Sequence, residues 1–273
     1  MPVYVVTGVS RGIGYGFLTE LTKEPGNTVI GIVRDKAATI KKASEDPVLK
    51  DRTNYHIVEG ELTSYDSLKK AAAEVSQLTG GAIDYLIANA AYVSIWDAFD
   101  PIGYLGENFP QELEADLKKS FDINVVGNIH LINLFMPQIL KGETKKVVCL
   151  TSGLADLDFT NDYEVYNEPA YSISKSAMNM AIGKFNAQYK SQGVHFLSVC
   201  PGMVEVGMHK NTTAEQFVKL GPLMESFKRY QPNLGGPVTP EHAVRDIKAV
   251  WESTNAEKDG GAFLSQFGNK RWL

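Results

Sequence analysis

The chain has 273 residues, 44% of them apolar, with 27 Lys and Arg against 32 Asp and Glu, for a net charge of −5. That balance excludes the basic footprint of a nucleic-acid-binding protein, and no apolar run reaches membrane-spanning length. Two cysteines, Cys149 and Cys200, lie inside apolar runs, and the five histidines are scattered without ligand spacing, so buried thiols and no metal site are expected. Met1-Pro2 runs almost directly into a strand, which leaves no room for a signal peptide and points to a soluble, cytoplasmic protein.

In chain order, Val3 to Thr7 is a nearly continuous apolar run, as expected of a strand covered on both faces. A glycine-rich turn follows. Phe17, Leu18 and Leu21 then recur at helical spacing until Pro25-Gly26. Further strands are expected at 28–33, 55–58, 83–89, 146–151, 194–199 and 262–267. Helices are expected at 67–78, at 112–139 as one long element with Pro137 near its end, and at 170–189. Strands alternating with helices predict a doubly wound, Rossmann-type parallel α/β sheet of about seven strands, with helices on both faces. No Pro/Gly/Ser-rich linker divides it, so residues 1–273 read as one domain. Segments 92–110, 154–169 and 207–236 follow the C-terminal ends of strands, where open α/β sheets bind ligands. They are the expected substrate walls, with 207–236 as a lid.

A phosphate needs backbone N–H donors and no side chain in the way. Gly8, Gly12 and Gly14 provide this between a strand and a helix N-terminus, with Ser10, Arg11 and Ile13 completing the turn. The strand before and the helix after raise this from an ordinary tight turn to a dinucleotide site. After the second strand, Val33 stands where an NAD-type acid would accept from the ribose 2′-OH, and Arg34 follows it. Arg11 and Arg34 together suit a 2′-phosphate and predict NADP(H). Each charge-assisted bond contributes about 1.5–3 kcal/mol, enough for roughly tenfold preference. The competing reading makes Arg34 a solvated surface residue and Asp35 the ribose ligand.

Tyr171 and Lys175 are four apart and share one helix face. A nearby ammonium favours the phenolate, which would bring the tyrosine toward general acid–base work. On its own the pair also fits an amphipathic helix surface.

Taken together these segments resemble the short-chain dehydrogenase/reductase family over nearly the whole chain. Thr7 to Gly14 is similar to its TGxxxGxG motif, and Asn89-Ala90-Ala91 to the NAG motif after the fourth strand. Asn124 and Ser152 match its catalytic asparagine and serine, Tyr171 and Lys175 its YxxxK pair, and Pro201-Gly202 its PG motif after the sixth strand. The resemblance implies Tyr171 as acid/base, with Lys175 lowering its pKa and binding ribose. It implies Ser152 on the substrate oxygen, and Asn124 holding through its backbone a water in a proton relay. Glu61 and Leu62 stand where the family often has Asp-Val beside adenine. Val204 and Val206 fall on the nicotinamide side, Val206 in place of a frequent threonine. Ala91 replaces a glycine.

The function so implied is NADPH-dependent reduction of a ketone or aldehyde to an alcohol by hydride transfer. The interleaved aromatics Trp96, Phe99, Tyr104, Phe109, Phe159, Tyr163 and Tyr166 admit two readings. They pack the loops onto the domain, or they line a pocket for an apolar or aromatic carbonyl. An NAD-linked alcohol dehydrogenase and a non-catalytic NADP(H)-sensing regulator are the alternatives. The resemblance also suggests a homodimer or homotetramer.

Overall fold

The computed structural model describes every residue except His209 and Asn211. Seven strands form one wholly parallel sheet in the order β3-β2-β1-β4-β5-β6-β7. In chain order they are β1 Val3–Thr7, β2 Thr28–Val33, β3 Tyr55–Glu59, β4 Tyr85–Ala88, β5 Lys146–Leu150, β6 His195–Cys200 and β7 Phe263–Ser265. The reversal of strand order falls between β1 and β4, the place where open α/β sheets leave a crevice for a ligand.

The helices are α1 Gly12–Leu21, α2 Lys36–Glu45, α3 Tyr65–Thr79, α4 Ile102–Asn108, α5 Pro110–Phe121, α6 Asn128–Ile139, α7 Leu157–Tyr163, α8 Pro169–Tyr189, α9 Ala214–Lys219, α10 Gly221–Tyr230, α11 Pro240–Ser253 and α12 Ala256–Asp259. Alternation along the strands divides the core. Val5 joins Leu68, Val75, Leu131, Phe135, Met178 and Ile182 from α3, α6 and α8. Its neighbours Tyr4 and Val6 face the other way, onto Phe17, Leu18 and Leu21 of α1 and Val244, Ile247 and Trp251 of α11. Trp251 is fully buried and stacks with Phe17 at 5.8 Å between ring centroids. A third cluster joins Phe159, Val165, Cys200, Leu223, Phe227 and Trp272 beyond the C-terminal ends of the strands.

The long helix expected over 112–139 is interrupted. Between α5 and α6 the chain widens into a π-turn, Asp122–Gly127. Gly127 lies so close to Leu62 that a Cβ there would stand 2.8 Å from the Leu62 Cβ. A widened turn inside a helix frequently marks a functional site, and this one contains Asn124. No described helix is long and apolar enough to cross a membrane.

Candidate active site

The turn from β1 into α1 is built by backbone geometry. Gly8 and Gly12 have φ of +76° and +56°, a region that L side chains rarely enter. Gly14 is on α1, and a Cβ there would collide with the Gly8 carbonyl oxygen and stand 2.6 Å from Asn89 Nδ2. The buried Thr7 ties this turn to the end of β4. Its Oγ1 accepts from the amides of Asn89 at 3.1 Å and Ala90 at 3.0 Å, while Asn89 Nδ2 donates to the Thr7 carbonyl at 2.8 Å. Arg11 is the N-cap of α1, yet its side chain makes no cap hydrogen bond, and the first turn carries no acid. The leading N–H groups of this helix therefore have the geometry and dipole sign that an anionic group requires.

Around this turn, Arg11, Ser10 and Arg34 are exposed. Asp35 is committed elsewhere: it is the N-cap of α2, and its carboxylate accepts from the Ala38 amide at 2.8 Å. Lys42, which the sequence did not single out, donates to the Ser10 carbonyl at 3.0 Å and sits 3.7 Å from the Tyr15 ring centroid. Glu61 is exposed, and Leu62 packs under Gly127. Val206 lies over Gly12, its Cγ1 3.3 Å from where a Cβ would stand, and Val204 forms a bridge with Val238. Gly202 has φ of +74°.

The second part of the site is a group of polar side chains gathered beyond β4 and β5. Asn124 is fully buried. Its Oδ1 accepts from the Tyr92 amide at 2.7 Å, and its Nδ2 donates to the Tyr92 carbonyl at 2.8 Å and to Ser174 Oγ at 2.9 Å. Ser174 Oγ donates in turn to the Tyr171 carbonyl at 2.7 Å. Lys175 is buried, with Nζ 5.5 Å from the Tyr171 ring centroid and donating to the Leu150 carbonyl at 2.7 Å. Ser152, two residues beyond β5, caps a short turn through the Leu154 amide at 3.2 Å. The amides of Gly153 and Gly202 both point to Cys200 Sγ, at 3.1 and 3.5 Å, which joins the ends of β5 and β6. Cys149 and Cys200 are buried free thiols, as expected.

Burial, then the neighbouring Glu168, holds the Tyr171 phenol above its ordinary value, and hydrogen bonding to Ser152 pulls the other way. Burial also lowers Lys175.

The aromatic walls divide. Trp96, Phe99, Tyr104 and Phe109 line an open cleft of about 350 Å³, shared with Gln216 and Lys219 of α9. Phe159 and Tyr163 instead pack on Phe227 and Tyr230, with Phe159 to Tyr230 at 4.6 Å and Tyr163 to Tyr230 at 4.9 Å. Lys219 bridges to Asp100 at 2.9 and 3.0 Å.

A parallel sheet with this strand order, a glycine turn at its switch point and a tyrosine–lysine helix beside it define a nicotinamide-dependent oxidoreductase fold, and the chain belongs to the short-chain dehydrogenase family, whose profile matches residues 2–216. It is 51% identical over the full length of both chains to the short chain dehydrogenase virK of Hypocrea virens. It is 48% identical, again over the full length of both, to the short-chain dehydrogenase/reductase iacC of Pestalotiopsis fici. Among solved structures, an NADPH-bound carbonyl reductase from chicken fatty liver shares the fold, with a TM-score of 0.74 over 98% of each chain at 24% identity.

Proposed function

We propose that the protein is an NADP(H)-dependent carbonyl reductase in which Tyr171 is the general acid. The observation that carries this is the gathering of Asn124, Tyr171, Lys175 and Ser152 beyond β5: Asn124 reaches the Tyr171 carbonyl through Ser174, and Lys175, 5.5 Å from the Tyr171 ring centroid, donates to the Leu150 carbonyl two residues before Ser152. Gly8, Ser10, Gly12, Ile13 and Gly14 would hold the pyrophosphate, Arg11 and Arg34 the 2′-phosphate, and Glu61 with Leu62 the adenine. Asn89, Ala90, Pro201, Gly202, Val204 and Val206 would flank the nicotinamide half. The preference for NADP(H) is supported by Asp35, whose carboxylate caps α2 while Arg34 stands exposed.

Bound there, a reduced nicotinamide supplies the hydride that reaches the carbonyl carbon. Ser152 hydrogen-bonds the carbonyl oxygen as charge develops on it. Tyr171 gives that oxygen its phenolic proton. A phenol carries its proton at neutral pH, ready to be given in the direction of reduction. Asn124 fixes the wall at Tyr92 through its side chain. Its carbonyl accepts from Asn128 Nδ2 at 3.0 Å, and a carbonyl has a second lone pair for a relay water. The aromatic side chains Trp96, Phe99 and Tyr104, in the segment that Asp97 ties to the start of α8, suit an apolar or aromatic substrate, with Gln216 and Lys219 of α9 across the cleft from them.

The test is loss of reduced-nicotinamide absorbance with NADPH and with NADH, across neutral and anionic ketones, aldehydes and quinones. Tyr171→Phe should lower turnover by roughly 10²–10⁴-fold and leave NADPH binding intact. Arg34→Ala should cost about tenfold of the NADPH preference. A wild-type preference for NADH, or full turnover by Tyr171→Phe, would overturn the reading.

A further inference from the structure

The catalytic helix α8 starts in an unusual way. Glu168 occupies its N-cap with φ of +54°, and the Glu168 side chain makes no cap hydrogen bond. Pro169 at the first helical position has no N–H to satisfy. The exposed donors are then the amides of Ala170 and Tyr171, at a buried helix end. The first of them is satisfied from far away in the chain: Asp97, fully buried in the segment between β4 and α4, accepts from the Ala170 amide at 2.8 Å through Oδ2. A second tie runs the same way: Asn167 Nδ2 donates to the Ala98 carbonyl at 3.1 Å. Residues 97 and 98 thus hold the start of α8, while their neighbours Trp96, Phe99 and Asp100 line the aromatic cleft.

We propose that Asp97 is a positioning residue, which caps the catalytic helix from the substrate wall and so fixes where Tyr171 stands. The inference rests on Tyr171 being the general acid. A carboxylate at a helix N-terminus is a strong acceptor when ionised and a weaker one when protonated. The neighbours of Asp97 make that ionisation costly. Asp116 faces it from α5 and Glu168 from the N-cap of α8. Lys119 is engaged by the Tyr92 ring, 4.2 Å from its centroid, and Tyr92 Oη donates to Asp116 at 3.0 Å. Asp97 Oδ1 and Asp116 Oδ2 are buried without a hydrogen-bond partner. Burial, reinforced by Asp116, pushes Asp97 up to about 6 against the pull of the Ala170 amide. Burial and then Asp97 push Glu168 up to about 7. The Asp97–Ala170 hydrogen bond itself therefore strengthens as the pH rises through the range where Asp97 gives up its proton, while burying the new charge costs the fold as a whole.

Two readouts decide the matter on Asp97→Ala and Asp97→Asn, the second keeping an acceptor oxygen without a charge. The first needs only the protein: amide-exchange protection at Ala170, measured on either side of pH 6. Wild-type protection should be greater on the alkaline side. Asp97→Ala should lose about tenfold or more at both pH values, while Asp97→Asn should keep most of it and respond little to pH. Unchanged protection in Asp97→Ala overturns the cap. The second readout is turnover of the best carbonyl in the panel. Asp97→Ala should lower kcat by about tenfold or more, with the NADPH Kd within about twofold. Asp97→Asn should recover most of kcat and flatten the acid limb of the pH profile. Altered exchange with unaltered kcat overturns the positioning role and leaves the reductase reading standing. A wild type without turnover sinks that reading, and exchange still decides the cap. Should Asp97→Ala not fold, Asp97→Asn decides: an acid limb identical to the wild type overturns the proposal.

Discussion

The two halves of the site are held together by different means. The nucleotide side is made of backbone: positive-φ glycines, an uncapped helix end, and Thr7 tying neighbouring strands. Its parts lie within a few residues of each other or on paired strands. The substrate side is made of side chains reaching across the chain. Asp97 meets a helix 73 residues on, and Lys219 meets Asp100 across 119 residues. A binding site for a fixed chemical group is served by rigid backbone. Specificity for varied substrates is served by walls that a few side-chain contacts can reset.

The sharpest way to break the first half is Gly14→Ala. In an ordinary helix this change stabilises by up to ~1 kcal/mol. Here the new methyl meets the Gly8 carbonyl and Asn89, so a loss of about 1–3 kcal/mol is expected. Thermal unfolding and an NADPH titration should show both lower stability and at least tenfold weaker binding.

A smaller effect should separate the second half by pH. Asp97 and Glu168 both have raised folded-state pKa values, at about 6 and about 7. Each therefore favours the folded state fully below its ordinary carboxylate pKa, and that contribution is lost as the pH rises through the folded value. Denaturant unfolding should show stability falling, by on the order of 2 kcal/mol, as the pH is raised across this range. Glu168→Gln should flatten the upper part of that decline. A flat wild-type profile would mean that the two carboxyls are not strained by burial.

The smallest effect is expected at the lid. Lys219 and Asp100 are partly exposed, and such pairs contribute little to stability. Lys219→Met should leave the melting temperature unchanged. It should raise the KM for the carbonyl by less than about threefold, which steady-state kinetics would detect.

The same contrast governs what could be read from the amino-acid sequence. The five inner strands were legible because strands buried on both faces are continuous apolar runs, the edge strands β3 and β7 as short β-rich runs, and the glycine turn because its residues are contiguous. α2 was missed because only Thr39 and Ala43 of its ten residues are buried, leaving almost no apolar stripe. The π-turn was missed because Phe121 to Asn128 continues a helical pattern, and the close approach of Leu62 leaves no mark there. Asp97 was missed because a cap normally precedes its helix in sequence. The spacing of Tyr171 and Lys175 shows that the two share a helix face and hides how deeply burial acts on both.

The π-turn has one more consequence, which concerns phase. Asp116, Ser120, Asn124 and Asn128 are all buried and recur every fourth residue. On a regular helix such a column would drift by about 40° per step, because four residues overshoot a 3.6-residue turn. The wide turn from Asp122 to Gly127 takes up part of that drift. The column so kept brings Asn124 to Ser174, while Leu131, Phe135 and Ile139 still join the core.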